Sequence, residues 1–584
     1  MKKLIIPALL TLATALSGCD DVFSPAPENN LPLDFLEGNS TYAENLLGNA
    51  YIYMPNNGSF PFSEVATDDA VSNDATNQYR IIATGRWTAQ NNPVNRWESC
   101  RAGIQYCNLF LANMDRVTWT KDEATDRLFA ARFKAEALGL RALFTYFLLQ
   151  SHAGVDADGN LLGVPVVEVV EDPNSNFNVP RNTFVECMQA MQRDAEAALE
   201  VLPTTYGPAS YDELRAKHPG ITDGQLERVF GDNFTGRVSG LVIKAFLGRM
   251  ALMAASPAFK ASGCTWAEAA DANAQVLDYI GGVAGLDPTG DTWYCANIEK
   301  LGDTESPAEV IWRGERANDN SDLEKENFPP SLYGNGRINP TQNLVDAFPM
   351  LNGYPIANPK GNYAASDPYE NRDPRLEKYI LFNGGKAGNS NKVITTAADG
   401  SDNDALNKIS TSTRTGYYMK KHLRQDVNCD PNATQGKAHY TARLRYTEFF
   451  LNYAEAANEA WGPTGTGRNS FSAYDVIKAI RQRAGIGTNG SDPYLEECKG
   501  NTGMMRELIH NERRIELCFE GFRFFDLRRW KDDLNVTAKG INISGGSFDT
   551  FNVESRDYKD YMYYGPIPYG EVLKFSELKQ NAGW

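Results

Sequence analysis

The stretch from Asn511 to Trp530 reads Asn-Glu-Arg-Arg-Ile-Glu-Leu-Cys-Phe-Glu-Gly-Phe-Arg-Phe-Phe-Asp-Leu-Arg-Arg-Trp. In and just before it, apolar residues recur at helical spacing, namely Leu508, Ile515, Phe519 and Phe522. Carboxylates stack four residues apart beside two arginines, at Glu512, Glu516, Glu520, Arg513 and Arg523. The pattern predicts one long helix over Met504–Trp530, with a buried aromatic face and a network of carboxylate and guanidinium groups.

Helical periodicity also covers much of the remaining chain. It appears at Trp97–Met114, Phe129–Gln150, Thr183–Leu202, Val238–Ala255, Trp266–Ile280, Arg445–Trp461 and Phe471–Ala484. Paired amphipathic helices of this length are typical of antiparallel hairpins stacked like tetratricopeptide repeats, although no strict 34-residue period is present. We therefore predict a mainly α fold, a degenerate tetratricopeptide-like scaffold with a large irregular, loop-rich insertion.

The density of Gly, Pro, Asn and Asp divides the mature chain into three parts. Residues 34–280 are predicted to form an N-terminal helical-repeat scaffold that holds part of a ligand site. Residues 281–442 are predicted to be an irregular ligand-binding region, because loops on a rigid scaffold commonly carry specificity. Residues 443–584 are predicted to complete the scaffold with further helices.

The N-terminus has the pattern of a bacterial lipoprotein signal. Lys2 and Lys3 precede an apolar run over 4–16 that is too short to span a bilayer, and residues 1–18 are predicted to be a signal peptide. Leu-Ser-Gly-Cys then resembles a lipobox in which Cys19 is acylated, and residues 19–33 would be a flexible tether. An ordinary signal peptide with an incidental cysteine is the alternative.

Charge and motif content exclude several classes of protein. The formal net charge is −17 with no basic run to offset it, so we expect no nucleic-acid partner. The five histidines are dispersed without metal-ligand spacing, and no Gly-x-Ser-x-Gly elbow, P-loop or dinucleotide glycine pattern occurs. We therefore predict a protein that is not an enzyme and needs no cofactor.

A series of motifs spread over residues 60–584 resembles the SusD/RagB family, surface lipoproteins that capture nutrients for an outer-membrane transporter. Besides the stretch quoted above, the motifs are Ser63–Ala70, Glu136–Phe144, Gly163–Val166, Pro340–Asp346, Asn371–Arg375, Thr415–Lys421, Gly565–Pro568 and Gln580–Trp584. The resemblance implies a helical scaffold carrying an irregular ligand-binding half. It also implies that Glu448, Glu512, Arg513, Arg523 and Trp530 tie the scaffold together instead of touching ligand.

The same resemblance implies a location and a partner. Asp20 and Asp21 directly after Cys19 resemble an export signal to the cell surface, so we expect a lipid anchor in the outer membrane. A SusC-like, TonB-dependent barrel is the implied partner, with this chain as its hinged lid. The resemblance also leaves room for a structural calcium ion, because some relatives bind one.

Aromatic residues in irregular segments are the candidate ligand contacts, because sugar rings stack on flat aromatic faces while amides bind their hydroxyl rims. The candidates are Trp87, Asn91, Trp293, Tyr294, Trp312 and Tyr333. We predict that Trp87 or Trp293 stacks on ligand. Core packing remains an alternative for each aromatic residue, most of all for Trp312, because residues 310–312 read as a buried strand.

The favoured function is capture of glycans at the cell surface without catalysis. The same machinery importing peptides is one alternative. A surface glycoside hydrolase is another, because paired carboxylates could hydrolyse glycosides. A helical scaffold that holds other lipoproteins is a third, although it would have no need of the loop-rich insertion.

Overall fold

The computed structural model describes residues 36–55, 61–291, 294, 306–314, 317–487 and 490–584. The predicted signal peptide, Cys19 and the tether lie outside the described residues. The α-helices within them are α1 (Ser40–Ile52), α2 (Gln78–Ile81), α3 (Trp97–Asn113), α4 (Glu123–His152), α5 (Phe184–Leu199), α6 (Tyr211–Lys217), α7 (Asp223–Phe230), α8 (Gly240–Ala255), α9 (Trp266–Leu277), α10 (Asp322–Asn327), α11 (Gln342–Ala347), α12 (Pro374–Tyr379), α13 (Tyr446–Trp461), α14 (Ala473–Arg483), α15 (Pro493–Cys498), α16 (Thr502–Glu516), α17 (Arg523–Trp530) and α18 (Tyr569–Lys574). None of these helices is long and apolar enough to cross a membrane.

The long helices pack as sequential neighbours, and this arrangement confirms the predicted fold class. Helix α3 packs on α4, α4 on α5, and α8 on α9, while α13 contacts α9, α14 and α16. Helices α5 and α9 begin with capping boxes at Thr183 and Thr265, whose side chains satisfy backbone N–H groups of the first turn. Tetratricopeptide-like hairpins therefore form the scaffold, as the amphipathic periodicity indicates.

Small residues let α8, α9 and α13 approach closely. The Nδ2 group of Asn273 donates to the carbonyl oxygen of Gly248 at 3.0 Å, and a Cβ atom on Gly248 would lie 2.8 Å from Asn273 Oδ1. Asn452 Nδ2 on α13 donates to the same Asn273 Oδ1 at 3.1 Å. Ala454 and Ala457 of α13 are also fully buried.

The single helix predicted over residues 504–530 is wrong, because the chain forms α16 and α17 with a turn between them. Phe519 and Gly521 adopt positive φ angles of 62° and 84°, which a helix does not accommodate. Lys421 Nζ donates to the carbonyl oxygen of Glu516 at 2.8 Å and to that of Cys518 at 3.1 Å. The helix ends where this distant lysine satisfies its last carbonyl groups.

Fourteen short strands form two-stranded antiparallel sheets among the described residues. They are β1 (Ala70–Ser72), β2 (Gly154–Val155), β3 (Leu161–Leu162), β4 (Val310–Arg313), β5 (Ala317–Asn320), β6 (Ile338–Pro340), β7 (Ile380–Leu381), β8 (Lys386–Ala387), β9 (Lys392–Val393), β10 (Tyr418–Met419), β11 (Lys437–His439), β12 (Ala442–Arg445), β13 (Ala538–Ser544) and β14 (Ser547–Glu554). Strand β1 pairs with β6, which joins the N-terminal part to the middle of the chain. Strands β13 and β14 form a hairpin around Gly545 and Gly546, whose φ angles are 56° and 81°.

Two large buried clusters connect distant parts of the sequence. The larger cluster draws residues from Leu36 to Leu277 and again from Leu444 to Leu578, so the two helical parts share one core. The other cluster lies mainly under the middle of the chain and is completed by Ile515 and Phe519. The three-part division of the chain stays a prediction.

Candidate ligand-binding site

The charged residues of the 511–530 stretch are buried in ion pairs. Arg375 Nη1 contacts Glu512 Oε1 at 2.5 Å and Glu516 Oε2 at 2.9 Å, and Arg445 Nε contacts Glu520 Oε2 at 2.6 Å. Burial opposes ionisation of Glu516 and Glu520, but the surrounding arginines prevail and lower the pKa of each to about 2. Both glutamates are therefore structural anions below the surface.

The remaining residues expected to tie the scaffold together do so. Arg249 Nε contacts Glu448 Oε1 at 2.6 Å, and Trp530 Nε1 donates to Glu455 Oε1 at 2.8 Å. The two arginines do not pair with the glutamates of their own stretch. Arg513 contacts Asp526 at 2.7 Å, and Arg523 contacts Asp68 at 3.1 Å. The motif thus binds segments that lie far away in sequence.

Trp87 lies in the protein interior, and we correct its assignment as a ligand contact. Only 2% of the residue is exposed, and its ring packs against those of Phe524, Tyr558 and Trp584. Its Nε1 donates to Asn92 Oδ1 at 3.1 Å. Asn91 is half-buried in the loop above, where its Nδ2 donates to the carbonyl oxygen of Arg86 at 3.2 Å. The polar loop therefore covers an aromatic cluster.

Trp312 is also buried, as its strand pattern indicates, and we correct its assignment to the ligand site. The residue is 3% exposed in β4, and its Nε1 donates to the carbonyl oxygen of Gly236 at 2.7 Å. Both the ring and its polar atom are thus used inside the scaffold.

Trp293 lies outside the described residues, whereas the adjacent Tyr294 is described and half-buried. Its ring meets that of His422 edge-on, with 5.6 Å between centroids. Tyr294 lines an open cleft of about 600 Å³ with Asp291, Pro374, Glu377, Lys378, Lys420, Leu423, Arg424, Gln425 and Asp426. Acidic and basic residues balance in this wall, and most of its surface is apolar.

Tyr333 is the predicted aromatic residue that faces solvent, with 54% of its surface exposed. It follows a 3-10 turn, Pro330–Leu332, in the left-handed conformation with φ of 62°. The segment is held on both sides of the tyrosine. Ser331 N donates to Asp404 Oδ1 at 2.8 Å, and Asn73 Nδ2 donates to the carbonyl oxygens of Asn335 and Gly336, both at 2.9 Å.

A polar basin of about 440 Å³ adjoins this segment. Its lining residues are Asn73, Asn407, Lys408, Ile409, Ser410, Ser412 and Arg414. A Cβ atom on Gly336 would lie 2.6 Å from the carbonyl oxygen of Thr411, so the Tyr333 segment runs directly against the basin loop. The structure thus places an exposed tyrosine on the segment bordering a basin of amide, hydroxyl, ammonium and guanidinium groups.

Sequence analysis missed the basin residues. Asn73 follows the Ser63–Ala70 motif, and Arg414 precedes the Thr415–Lys421 motif. The two loops meet where Arg414 Nη1 donates to the carbonyl oxygen of Ser72 at 3.1 Å. Their positions beside two motifs are the signal that could have identified them.

The part of the chain that the structure describes holds no cluster of three or more His, Cys, Asp or Glu residues suited to a metal ion. Its seven cysteines are free thiols, at Cys100, Cys107, Cys187, Cys264, Cys429, Cys498 and Cys518. Burial raises the pKa of the Cys100 thiol to about 12, so this thiol is unreactive at neutral pH.

Comparisons with known proteins identify a family. Residues 308–584 match a model described as the SusD family, and residues 31–214 match one described as starch-binding associating with outer membrane. SusD-like protein P2 of Formosa agariphila is 28% identical over 165 residues, which cover 28% of this chain and 29% of that protein's length.

Solved structures share the fold. A SusD-like protein from Bacteroides fragilis has a TM-score of 0.71 at 22% identity, covering 95% of this chain and 100% of its own. A SusD-like carbohydrate binding protein from the same species has a TM-score of 0.69 at 21% identity, covering 93% of this chain and 100% of its own.

Proposed function

Because the chain belongs to the SusD family, we propose that it is a non-enzymatic cell-surface protein that binds oligosaccharide or polysaccharide and delivers it to a SusC-like, TonB-dependent transporter. The observation that carries the proposal is the polar basin of about 440 Å³, which is bordered by the segment that carries the exposed Tyr333. Binding pockets for small ligands commonly have volumes of roughly 300–1,000 Å³, so the basin suits a short stretch of glycan.

The chemistry of the basin suits a sugar. Tyr333 offers a flat face on which the apolar side of a pyranose ring can stack. Ser410 and Ser412 bring hydroxyl groups, and Asn407 brings an amide, all able to contact sugar hydroxyls. The description of one family model as starch-binding, and of one structural relative as carbohydrate binding, supports a glycan cargo.

The carboxylates nearest the basin favour binding over hydrolysis. Glu554 contacts Arg80, Arg414 and Arg556, and Glu326 contacts Arg337. A glycosidase needs one protonated acid and one free carboxylate on opposite sides of the bond. Arginine partners lower the pKa of Glu554 below its usual value, and Glu326 is engaged by Arg337.

Acyl chains on Cys19 would anchor the mature protein in the outer membrane with the basin facing outward. Two or three acyl chains anchor a protein firmly, since each buried methylene contributes about 0.8 kcal/mol. The barrel beneath would receive the glycan when this lid closes. The test is to purify the outer-membrane complex through a tag on this chain. Recovery of a TonB-dependent barrel is expected, and its absence would contradict the delivery role.

The binding role is tested with unlipidated Cys19→Ser protein on native gels that contain individual polysaccharides, followed by calorimetry. We expect retardation by at least one glycan, no released sugar, and at least a tenfold loss of affinity in Tyr333→Ala. Tyr569→Ala is the matched control, because Tyr569 is also exposed, at 44%, but lies on α18.

Other outcomes would overturn the proposal. Binding of peptides without binding of sugars would indicate a peptide importer, and release of reducing sugar would indicate a hydrolase. If Tyr333→Ala and Tyr569→Ala lost affinity equally, the glycan would not bind at the basin.

A further inference from the structure

We infer that the basin beside Tyr333 prefers acidic oligosaccharides, whose uronate or sulfate groups bind Arg80 and Arg414. This inference rests on the proposed function and specifies its class of cargo. The ion pairs around Glu554, at the end of β14, support it.

Three guanidinium groups share the one carboxylate of Glu554. Arg80 Nε and Arg414 Nη1 contact the same oxygen, Oε2, at 2.8 and 2.9 Å, and Arg556 Nη1 contacts Oε1 at 2.7 Å. Burial raises the pKa of Glu554, but Arg556 and the hydrogen bonds from the other two arginines lower it below its usual value. Glu554 is therefore an anion that cannot neutralise all three cations.

Arg556 is the internal partner of this carboxylate. It is 5% exposed, and its remaining N–H groups donate to the carbonyl oxygens of Thr67 and Ala70 at 2.6–2.9 Å. Because Arg556 alone balances the charge of Glu554, Arg80 and Arg414 carry a surplus of positive charge at the surface.

The surplus arginines also have unused hydrogen-bond donors. Each side chain is 21% exposed. Among the described residues, Arg80 makes a side-chain contact only through Nε, and Arg414 only through Nη1. The outward N–H groups of both are thus available to a ligand, and Arg414 lines the basin itself.

Other charged groups near the basin include further basic side chains. Lys408 lines the basin, and Arg337 contacts Glu326 at 3.3 Å across its edge. Asp74 is a further carboxylate next to Asn73, with its pKa lowered by hydrogen bonds from Thr76. Of the charged groups named around Glu554 and the basin, five are basic and three are acidic.

Guanidinium groups recognise oxyanions with paired N–H donors, and the planar carboxylate of a uronate or the tetrahedral sulfate ester fits this geometry. The chain as a whole has a formal charge of −17, so attraction of polyanions to the whole surface cannot account for binding. The preference would arise from this local site.

The experiment is calorimetric titration of the Cys19→Ser chain with three probes of equal length: an oligogalacturonate, a sulfated galactan oligosaccharide and a maltooligosaccharide. We expect one acidic probe to bind at least tenfold more tightly than the neutral probe, with affinity falling as salt rises from 50 to 500 mM. Comparison of the uronate with the sulfate probe identifies which oxyanion the site takes.

Arg414→Gln should reduce affinity for the acidic probe at least tenfold. Arg193→Gln, which removes the same charge from an exposed pair with Glu168, should leave that affinity unchanged. Arg80→Gln is a second test, since Arg80 makes no side-chain contact with the basin loop. Retained affinity in both basin variants would overturn the inference.

The two proposals fail differently. Tight binding of the maltooligosaccharide that depends on Tyr333, without a preference for acidic probes, would overturn the acidic cargo and keep glycan binding. Absence of binding by all three probes and by the polysaccharide panel would overturn the proposed function itself.

Discussion

Glu64 Oε1 accepts a hydrogen bond of 2.7 Å from the backbone N–H of Gly521, a residue 457 positions later in the chain. Gly521 sits in the turn between α16 and α17, so this contact fixes the direction in which α17 leaves. Glu64 is fully buried, and burial raises the pKa of its carboxyl to about 7. The junction between the N-terminal and C-terminal parts thus contains an acid that titrates near neutrality.

The raised pKa predicts a pH-dependent stability. A carboxyl with a folded pKa of about 7 and an unfolded pKa of 4.5 stabilises the fold when protonated, so its contribution is complete below pH 4.5 and is lost as the pH rises to about 7. The loss would reach about 3 kcal/mol. Glu64→Gln should remove this dependence and keep an acceptor for Gly521.

The measurement is the free energy of urea unfolding of both proteins between pH 4.5 and 8. The difference between them isolates Glu64 from other groups, and we expect it to move in favour of the glutamine variant as pH rises. A difference that stays constant with pH would contradict the raised pKa.

Removal of Arg375 should strongly destabilise the protein. Its guanidinium contacts Asp373, Glu512 and Glu516 with only 3% of the side chain exposed, so Arg375→Ala leaves three carboxylates crowded in the interior. Breaking a buried ion pair costs about 3–5 kcal/mol. In Arg127→Ala, where an exposed pair with Glu123 is lost, the unfolding free energy should change by less than about 0.5 kcal/mol.

Two glycines within helices should respond oppositely to alanine. Gly248→Ala places a methyl group 2.8 Å from Asn273 Oδ1 between α8 and α9, and we expect a loss of about 1–3 kcal/mol. Gly48→Ala in α1 has no heavy atom within 4 Å and should gain about 0.5–1 kcal/mol from helix propensity. Thermal unfolding midpoints would show the opposite signs, and two shifts of the same sign would refute the close approach.

Trp87 should matter for stability and not for ligand. Trp87→Ala would cost about 3–5 kcal/mol because it empties the centre of an aromatic cluster. Trp87→Phe retains much of the packing and should keep the affinity of the wild type for its glycan. A large loss of glycan affinity in the folded Trp87→Phe variant would indicate that Trp87 contacts ligand after all.

The left-handed backbone conformation of Tyr333 should lower the stability of the fold. A residue with a side chain at φ of 62° loses about 1–2 kcal/mol relative to a favoured conformation, so Tyr333→Gly should stabilise the fold by about that amount and abolish glycan binding. Asn391→Gly, at φ of 50°, is the control. Asparagine tolerates this conformation, so we expect a smaller gain and unchanged binding.

Helices were predictable from sequence because their signal is local. The apolar period of α13 and the Gly462 after it give a helix that ends at Trp461 in both the prediction and the structure. The break before α17 was not predictable, since it depends on Glu64 and Lys421, which contact the turn only in the folded chain.

The ligand site was harder to predict for a related reason. Trp87 precedes a polar loop, and its sequence neighbours do not show that Phe524 and Trp584 cover its ring. Conversely, Asn73 and Arg414 do not indicate a site by themselves, because only the folded chain brings their loops together. Whether a side chain is exposed depends on the assembled surface. Of the predicted aromatic residues that the structure describes, Tyr333 is the one that is both aromatic and largely exposed.

The shared carboxylate of Glu554 has a consequence for the order of assembly. Arg80 is made early, Arg414 late, and Glu554 almost last, yet their contacts occur at one point of the surface. A partly synthesised or truncated chain that lacks β14 would leave these arginines in mutual repulsion. Under the proposed function, binding of an acidic glycan would therefore require the final hairpin to be in place.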